Sequence, residues 1–529
     1  MTAGAEGTSV LPAVAALTLA QKAGQLLMAG FDGLTANAHI ERLIRERQLG
    51  GVILFRRNVA SPAQVSRLCR QLQQINAEVS DIPLLIGIDQ EGGMVMRIED
   101  GMTPLPSPLA FQAAGNMADC RELTRICNAE LAALGININF APSFDVNNNP
   151  HNPVIGVRAY GEDVATVCDY AGAALAGIHD AGLAATAKHF PGHGDTDSDS
   201  HLGMPRVPHD RARLDAVELA PFRAAIAAGV DAVMSAHVAF PAVEPDPDTP
   251  ATMSRAVLTG LLRDEMGFAG VVFTDCLEMD AVAKSRGAVA GAVAAFAAGA
   301  DVLLISHTEA RQHGFLDALA AGLADGSIDE AAVDAAVARI LALKVRRAMH
   351  AWRTLPQDVA PLLDTPAARE LSARVHRNAV QCVGEVALLD RSLPVLLITF
   401  EVRTRTEIDE VANGKHAQRR ESLLVPLLAA GLAVTELPLP LAPSAAESAA
   451  VLQQAAGAAQ IVVVSYNAVL HGAQCALIAA LLQQQLWLLA GRLPYDLALA
   501  PAARGRLAAF ANRPAALQAL ADVLLTGAH

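Results

Sequence analysis

Short, almost uninterrupted apolar runs recur through the first two-thirds of the chain, at 27–31, 51–55, 84–89, 136–140, 184–189, 232–237, 271–275 and 302–306. Each is separated from the next by an Ala-rich stretch with helical periodicity. Strands that are apolar on both faces and alternate with helices predict parallel pairing covered on two sides. Eight such units over about 340 residues suit a (β/α)8 barrel with insertions. A helical stretch at 328–350 followed by Leu355-Pro356 predicts the exit from that barrel. A second alternation then begins, with strands expected at 395–399, 433–437, 461–465 and 486–489, and reads as a smaller open parallel sheet with helices on both faces. The fold class is therefore α/β: a barrel over residues 1–350, a linker over 351–385 and an αβα sandwich domain over 386–529.

Several barrel runs end in polar residues: Asp89, His189, His237, Asp275 and Ser306. Polar groups at the carboxyl ends of buried strands cost free energy unless they act, and that end of a barrel is where ligands bind. The stretch Ala187-Lys-His-Phe-Pro-Gly-His-Gly-Asp-Thr-Asp-Ser-Asp-Ser-His201 follows one of these strands and is dense in histidine and aspartate. Its glycines and proline favour a loop folded closely around something.

Composition narrows the partners. A net charge of -14 disfavours nucleic acid, because phosphate binding needs concentrated Lys and Arg. Seven scattered cysteines without a Cys-x-x-Cys pair fit reduced thiols. No basic residue precedes Lys22, and Leu17-Thr-Leu-Ala-Gln-Lys22 reads as a helix start, so the expectation is a cytoplasmic protein. Residues 448–491 lack charge but are interrupted by Gln453, Gln454, Asn467, His471 and Gln483, leaving no clean membrane span. The second alternation has no Gly-x-Gly-x-x-Gly after a strand and no phosphate loop; its most polar patch, at 415–420, reads as a solvated helix start or loop.

Asp275 stands at a strand end with an apolar approach, the setting in which a carboxylate can attack an anomeric carbon. Glycoside hydrolysis with retention needs a second group to protonate the leaving oxygen. Asp199 and His201 are two residues apart, close enough for the carboxylate to orient the imidazole and favour its protonated form. Lys188, His189 and Arg158 can donate to sugar hydroxyls, and Asp89 can accept from two at once.

The strings Gly87-Ile-Asp-Gln-Glu-Gly-Gly93, Asn152-Pro-Val-Ile-Gly156, Lys188-His-Phe-Pro-Gly-His-Gly-Asp-Thr196 with Asp199-Ser-His201, Ser235-Ala-His-Val238, Pro250-Ala-Thr-Met-Ser254 and Phe273-Thr-Asp275 span residues 17 to 345. In that order they resemble the family 3 glycoside hydrolases of the β-N-acetylglucosaminidase branch, two-domain type. The resemblance implies a retaining exo-enzyme that removes terminal β-linked N-acetylglucosamine, with Asp275 as nucleophile and His201, paired with Asp199, as acid/base. It also implies sugar contacts from Asp89, Arg97, Arg158, Lys188 and His189. The expected partner is a small carbohydrate substrate, with neither nucleic acid nor membrane, and neither cofactor nor metal is expected. Met94 departs from the pattern, since relatives commonly carry a basic residue just after Gly-Gly. Natural substrates in view are muropeptide fragments of cell-wall recycling or chitin fragments.

Three other readings stay open. A phosphorylase could use the same site, because a neutral histidine does not repel phosphate as a carboxylate would. A metal-dependent hydrolase could draw ligands from His189, His193, His201, Asp195, Asp197 and Asp199, although no His-x-His follows an early strand. A catalytically silent carbohydrate-binding protein would keep the pocket but not the chemistry.

Overall fold

A computed structural model of the chain describes residues 11–197, 204–401 and 422–527. Asp199, His201 and the 415–420 patch lie outside them. The first sheet has eight strands: β1 (Leu27–Ala29), β2 (Gly51–Leu54), β3 (Leu85–Ile88), β4 (Ile138–Asn139), β5 (Ala184–Phe190), β6 (Ala232–Ser235), β7 (Val271–Thr274) and β8 (Leu303–Ile305). Neighbours pair in chain order and all in parallel; β8 pairs with β1, and a bridge between Phe273 and Val302 closes the ring. This is the expected barrel. Its strands are buried throughout because helices cover the outside while side chains such as Phe140 and Phe273, edge to face at 5.4 Å, fill the inside.

The helices that space these strands carry their own start and stop signals. Thr18 and Gln21 form a capping box at the head of Leu19–Gln25, as the sequence suggested. Ser61 caps Pro62–Ala77, and Asn116 caps Met117–Leu134, which Gly135 ends in the left-handed conformation. At the amino ends of β6 and β8, the buried carboxylates of Asp231 and Asp301 are bound by arginines of the closing helix Glu330–Arg346 and its end: Arg346 and Arg347 on Asp231, Arg339 on Asp301. The polar residues at this face fasten the last helix, whereas those at the opposite face form a pocket.

The second sheet has six strands, β9 (Gln381–Cys382), β10 (Val395–Glu401), β11 (Val434–Pro440), β12 (Gln460–Ser465), β13 (Leu486–Ala490) and β14 (Gly505–Ala508), in the order 9-14-13-12-10-11. Only β9 runs antiparallel to its neighbour. The β9 and β14 strands were not expected from the sequence. In β14, Arg506 interrupts a run of four residues and Gly505 lies under the Trp487 ring, where an added Cβ would sit 2.5 Å from Trp487 Cδ1. Within the stretch expected to be a linker, Pro366–Ala379 forms a helix packed on Pro108–Ala114 of the barrel side and on the last helix, Pro514–Thr526. Among the described residues, no helix is long and apolar enough to cross a membrane.

The two sheets share a seam. Met94, Leu109, Ala110 and Val157 belong to the apolar cluster of the second domain rather than to that of the barrel. Arg513 donates to the carbonyls of Gly93 (3.1 Å) and Met94 (3.2 Å) and pairs with Glu99 at 3.2 Å. Tyr495 bridges Glu162 and Asn147 across the same junction.

Candidate active site

The carboxyl ends of β3, β5 and β7 deliver Asp89, Lys188 and Asp275 to one pocket, which Glu91, Arg97, Arg158, His189, His193 and Cys276 also line. Six of the eight residues expected at the site are thus brought together; the remaining two, Asp199 and His201, lie outside the described residues.

Directly after β3 the chain makes a small hairpin, Gln90–Gly92 against Val95–Met96. The Gln90 side chain holds it shut, accepting from the amides of Arg97 (2.8 Å) and Ile98 (3.2 Å) and donating to the Ile98 carbonyl. Gly93 turns at φ 54°, where a Cβ would stand 2.4 Å from that of Ser107, so the second glycine of the motif is needed for close approach. The turn sends Arg97 back toward Asp89, with 3.4 Å between Nη2 and Oδ2.

Opposite charges lock these groups in place. Lys188 Nζ lies 2.9 Å from Asp89 and 2.6 Å from Glu91, and Arg158 grips Glu91 with two bonds of 2.9 and 2.8 Å. Burial alone would raise the Glu91 carboxyl, but the Arg158 and Lys188 cations outweigh it and hold the group well below the ordinary carboxylate range. Asp89 is lowered for the same reason, by Lys188 and Arg97 against its burial. Lys188, despite its own burial, is raised by Asp89 and Glu91. All of these groups are charged across the neutral range.

His189 Nδ1 is 2.7 Å from Asp145 and its Nε2 is 3.2 Å from Arg158 Nη2. A guanidinium only donates, so Nε2 accepts and Nδ1 carries the proton. Asp145 also receives the amides of His189 and His193; burial opposes its ionisation, yet the histidines bring it down to about 2. His193 is lowered to about 4 by burial and by His189, and therefore stays neutral at working pH. The stem of the histidine loop is pinned by Asn152, whose amide donates to the carbonyls of His193 (2.8 Å) and Gly194 (2.9 Å).

Asp275 accepts from the amide of Cys276 at 2.7 Å, and its own amide donates to the Ser235 carbonyl. His237 supports this turn from beneath, with Nε2 2.9 Å from the Cys276 carbonyl and Nδ1 2.9 Å from Thr252. The Ser235-Ala-His and Pro250-Ala-Thr strings thus serve to seat Asp275.

The sequence profile described as "Glycosyl hydrolase family 3 N terminal domain" matches residues 18–343, which takes in every barrel strand and the pocket at their ends. The chain belongs to glycosyl hydrolase family 3. Among solved structures, this glycoside hydrolase is similar to a family 3 β-N-acetylglucosaminidase from Paenibacillus sp. str. FPU-7, with 49% identity, a TM-score of 0.91, and coverage of 97% of this chain and 98% of that one. Among curated proteins, it is 34% identical to a β-hexosaminidase A of Pseudoalteromonas piscicida over 69% of this chain, and spans 64% of that relative's length. It is also 37% identical to a β-hexosaminidase of Pseudomonas aeruginosa (strain LESB58) over 54% of this chain and 83% of the relative.

Glu91 and Asp145 were not singled out as site residues from the sequence, His193 was considered only as a metal ligand, and His237 only as a polar strand end. Glu91 stands in the Asp-Gln-Glu-Gly-Gly string, two residues from Asp89, and that spacing was the available signal. Met94, the family 3 position that departs from the common basic residue, is buried against the second domain and does not line the pocket. Among the described residues, the groups whose donor atoms lie close enough to share a cation are Cys276, Glu278 and His307, and separately Asp195, His209 and Glu218. Neither is the histidine-loop set considered from the sequence, of whose described members only Asp195 takes part.

Proposed function

We propose that this glycoside hydrolase is a retaining exo-β-N-acetylglucosaminidase acting on cell-wall or chitin fragments. The observation that carries the reading is the single pocket in which the Asp275 carboxylate faces the ion-paired Asp89, Arg97, Arg158 and Lys188 and the hydrogen-bonded His189. The names of the relatives support it. In this reading these five residues bind the terminal sugar, and Asp275 attacks C1 as the leaving oxygen takes a proton from His201. The resulting glycosyl-aspartate is hydrolysed by water that His201 deprotonates, and Asp199 orients the imidazole throughout. The seven cysteines, all free thiols, support a reducing, cytoplasmic setting.

Asp275→Ala should abolish turnover of an aryl β-N-acetylglucosaminide while leaving the melting temperature in place, since the neighbouring carboxylates, Asp89, Glu91 and Glu278, are each held by a cation. A slow fluorinated sugar should label Asp275 in the unmutated protein. A label on another carboxylate, or faster turnover of the matching glucoside, overturns the proposal. Running the assay with inorganic phosphate distinguishes hydrolysis from phosphorolysis by whether free sugar or sugar phosphate accumulates.

A further inference from the structure

The residue that follows Asp275 is a cysteine, and it does not sit alone. Cys276 Sγ, a carboxylate oxygen of Glu278 and a ring nitrogen of His307 lie within 4.8 Å of one another. They come from two different strand ends, β7 and β8, so the barrel closure itself brings them together. We propose that this trio is an inhibitory site for a thiophilic divalent cation, zinc or cadmium, whose binding obstructs the sugar pocket.

The donor set supports this choice. Thiolate, imidazole and carboxylate together suit zinc and cadmium and are a poor match for magnesium or calcium, which take oxygen. Tetrahedral bonds of about 2.0–2.3 Å place ligands about 3.5 Å apart, so side-chain rotations on the order of an ångström close the trio around an ion. Cys276 Sγ loses its proton to solvent as the metal–sulfur bond forms, and nothing is oxidised or reduced.

The surroundings set the affinity and the effect. Glu278 already accepts from the His307 amide at 2.6 Å and from Arg311 at 3.0 Å, which fixes its position but offsets its charge. That arrangement fits a reversible visitor better than a permanently held ion. The His307 ring is backed by Phe55 at 5.3 Å between centroids, and Phe55, Cys276 and Asp275 all line the sugar pocket. Of the trio only Cys276 lines that pocket, next in sequence to the attacking carboxylate, so an ion held on Cys276 Sγ stands at the pocket's edge beside Asp275. The other three-residue group offers no such site, because Arg213 lies 3.1 Å from Glu218 and 3.6 Å from Asp195, with no thiol to favour a soft cation over the guanidinium.

The inhibition rests on the glycosidase reading, whereas binding of the ion does not, and the test separates the two. Chelator-stripped, full-length protein is titrated with cadmium chloride while the ultraviolet thiolate-to-metal charge-transfer band is followed. Zinc affinity is measured by competition with a chromogenic chelator, and zinc inhibition of aryl β-N-acetylglucosaminide turnover is normalised to each protein's metal-free rate. The band should appear in the unmutated protein and vanish in Cys276→Ser. Zinc affinity should fall by more than about tenfold in Cys276→Ser and in His307→Ala, since loss of a ligand costs at least as much as loss of a group that merely orients one, with the inhibitory concentration rising in step and chelator restoring the rate. A band that persists in Cys276→Ser, or equal zinc affinity in all three proteins, overturns the site. Zinc that binds there without slowing turnover overturns the inhibition. Absence of turnover in metal-free protein defeats the glycosidase reading and leaves the cadmium result standing.

Discussion

At the scale of single residues, the pocket is organised by charges that are paired before any sugar arrives. Removing one partner of a buried pair costs about 3–5 kcal/mol, mostly from the charge left behind, so Lys188, Glu91 and Arg158 stand or fall together. The histidine proposed as acid/base can be tested without relying on its position. His201→Ala should slow substrates with poor leaving groups by about 10²- to 10⁴-fold more than activated aryl glycosides, which depart without a proton. Asp199→Asn should show the same divergence more weakly, because the imidazole remains. Equal losses on both substrate classes would return the loop to a binding or scaffolding role. Asp89, Lys188 and Asp275 were legible in the sequence because each terminates an apolar run. Glu91 and Asp145 were not, because a buried carboxylate is explained only by cations and amides that folding brings from far along the chain.

At the scale of elements, the barrel strands were legible for a related reason: a run such as Val-Val-Phe-Thr has no polar face to offer solvent. The β14 strand hid because its register against β13 depends on Trp487 finding a glycine opposite, a fact of pairing that local composition does not carry. Helix Pro366–Ala379 hid behind an N-terminal flank carrying Pro356 and Pro361, which reads as a connector. The closing barrel helix carries a testable oddity. Lys344 is buried with Nζ 2.7 Å from the Gln25 side chain and 3.1 Å from the Gly50 carbonyl, and burial brings it down to about 7. Between that value and the usual 10.5, the unfolded chain holds a proton that the folded chain has released. Stability from this group therefore rises with pH across that window, and the handicap is complete below about 7. The urea midpoint of the unmutated protein should gain on that of Lys344→Met as pH is raised from neutral into this range. Parallel curves would mean that the ammonium is solvated in the folded state.

At the scale of the whole molecule, the second domain touches the hairpin beside the pocket through Arg513. Arg513 holds the Gly93 and Met94 carbonyls of the hairpin whose neighbouring residues, Asp89, Glu91 and Arg97, line the site. Arg513→Met should raise KM by about tenfold, the equivalent of one charge-assisted hydrogen bond, with a smaller change in kcat. Arg513→Lys should recover only part of it, lacking the planar fork. A fall in kcat alone would place the effect on the chemical step rather than on the hairpin. The seam has a further consequence for anyone who trims the chain to its barrel. A fragment ending near residue 350 would bare Met94, Leu109, Ala110 and Val157 together, a greasy face that nothing in the barrel can cover. Such a fragment would meet its own copies through that face, and its first property in solution would be stickiness rather than catalysis.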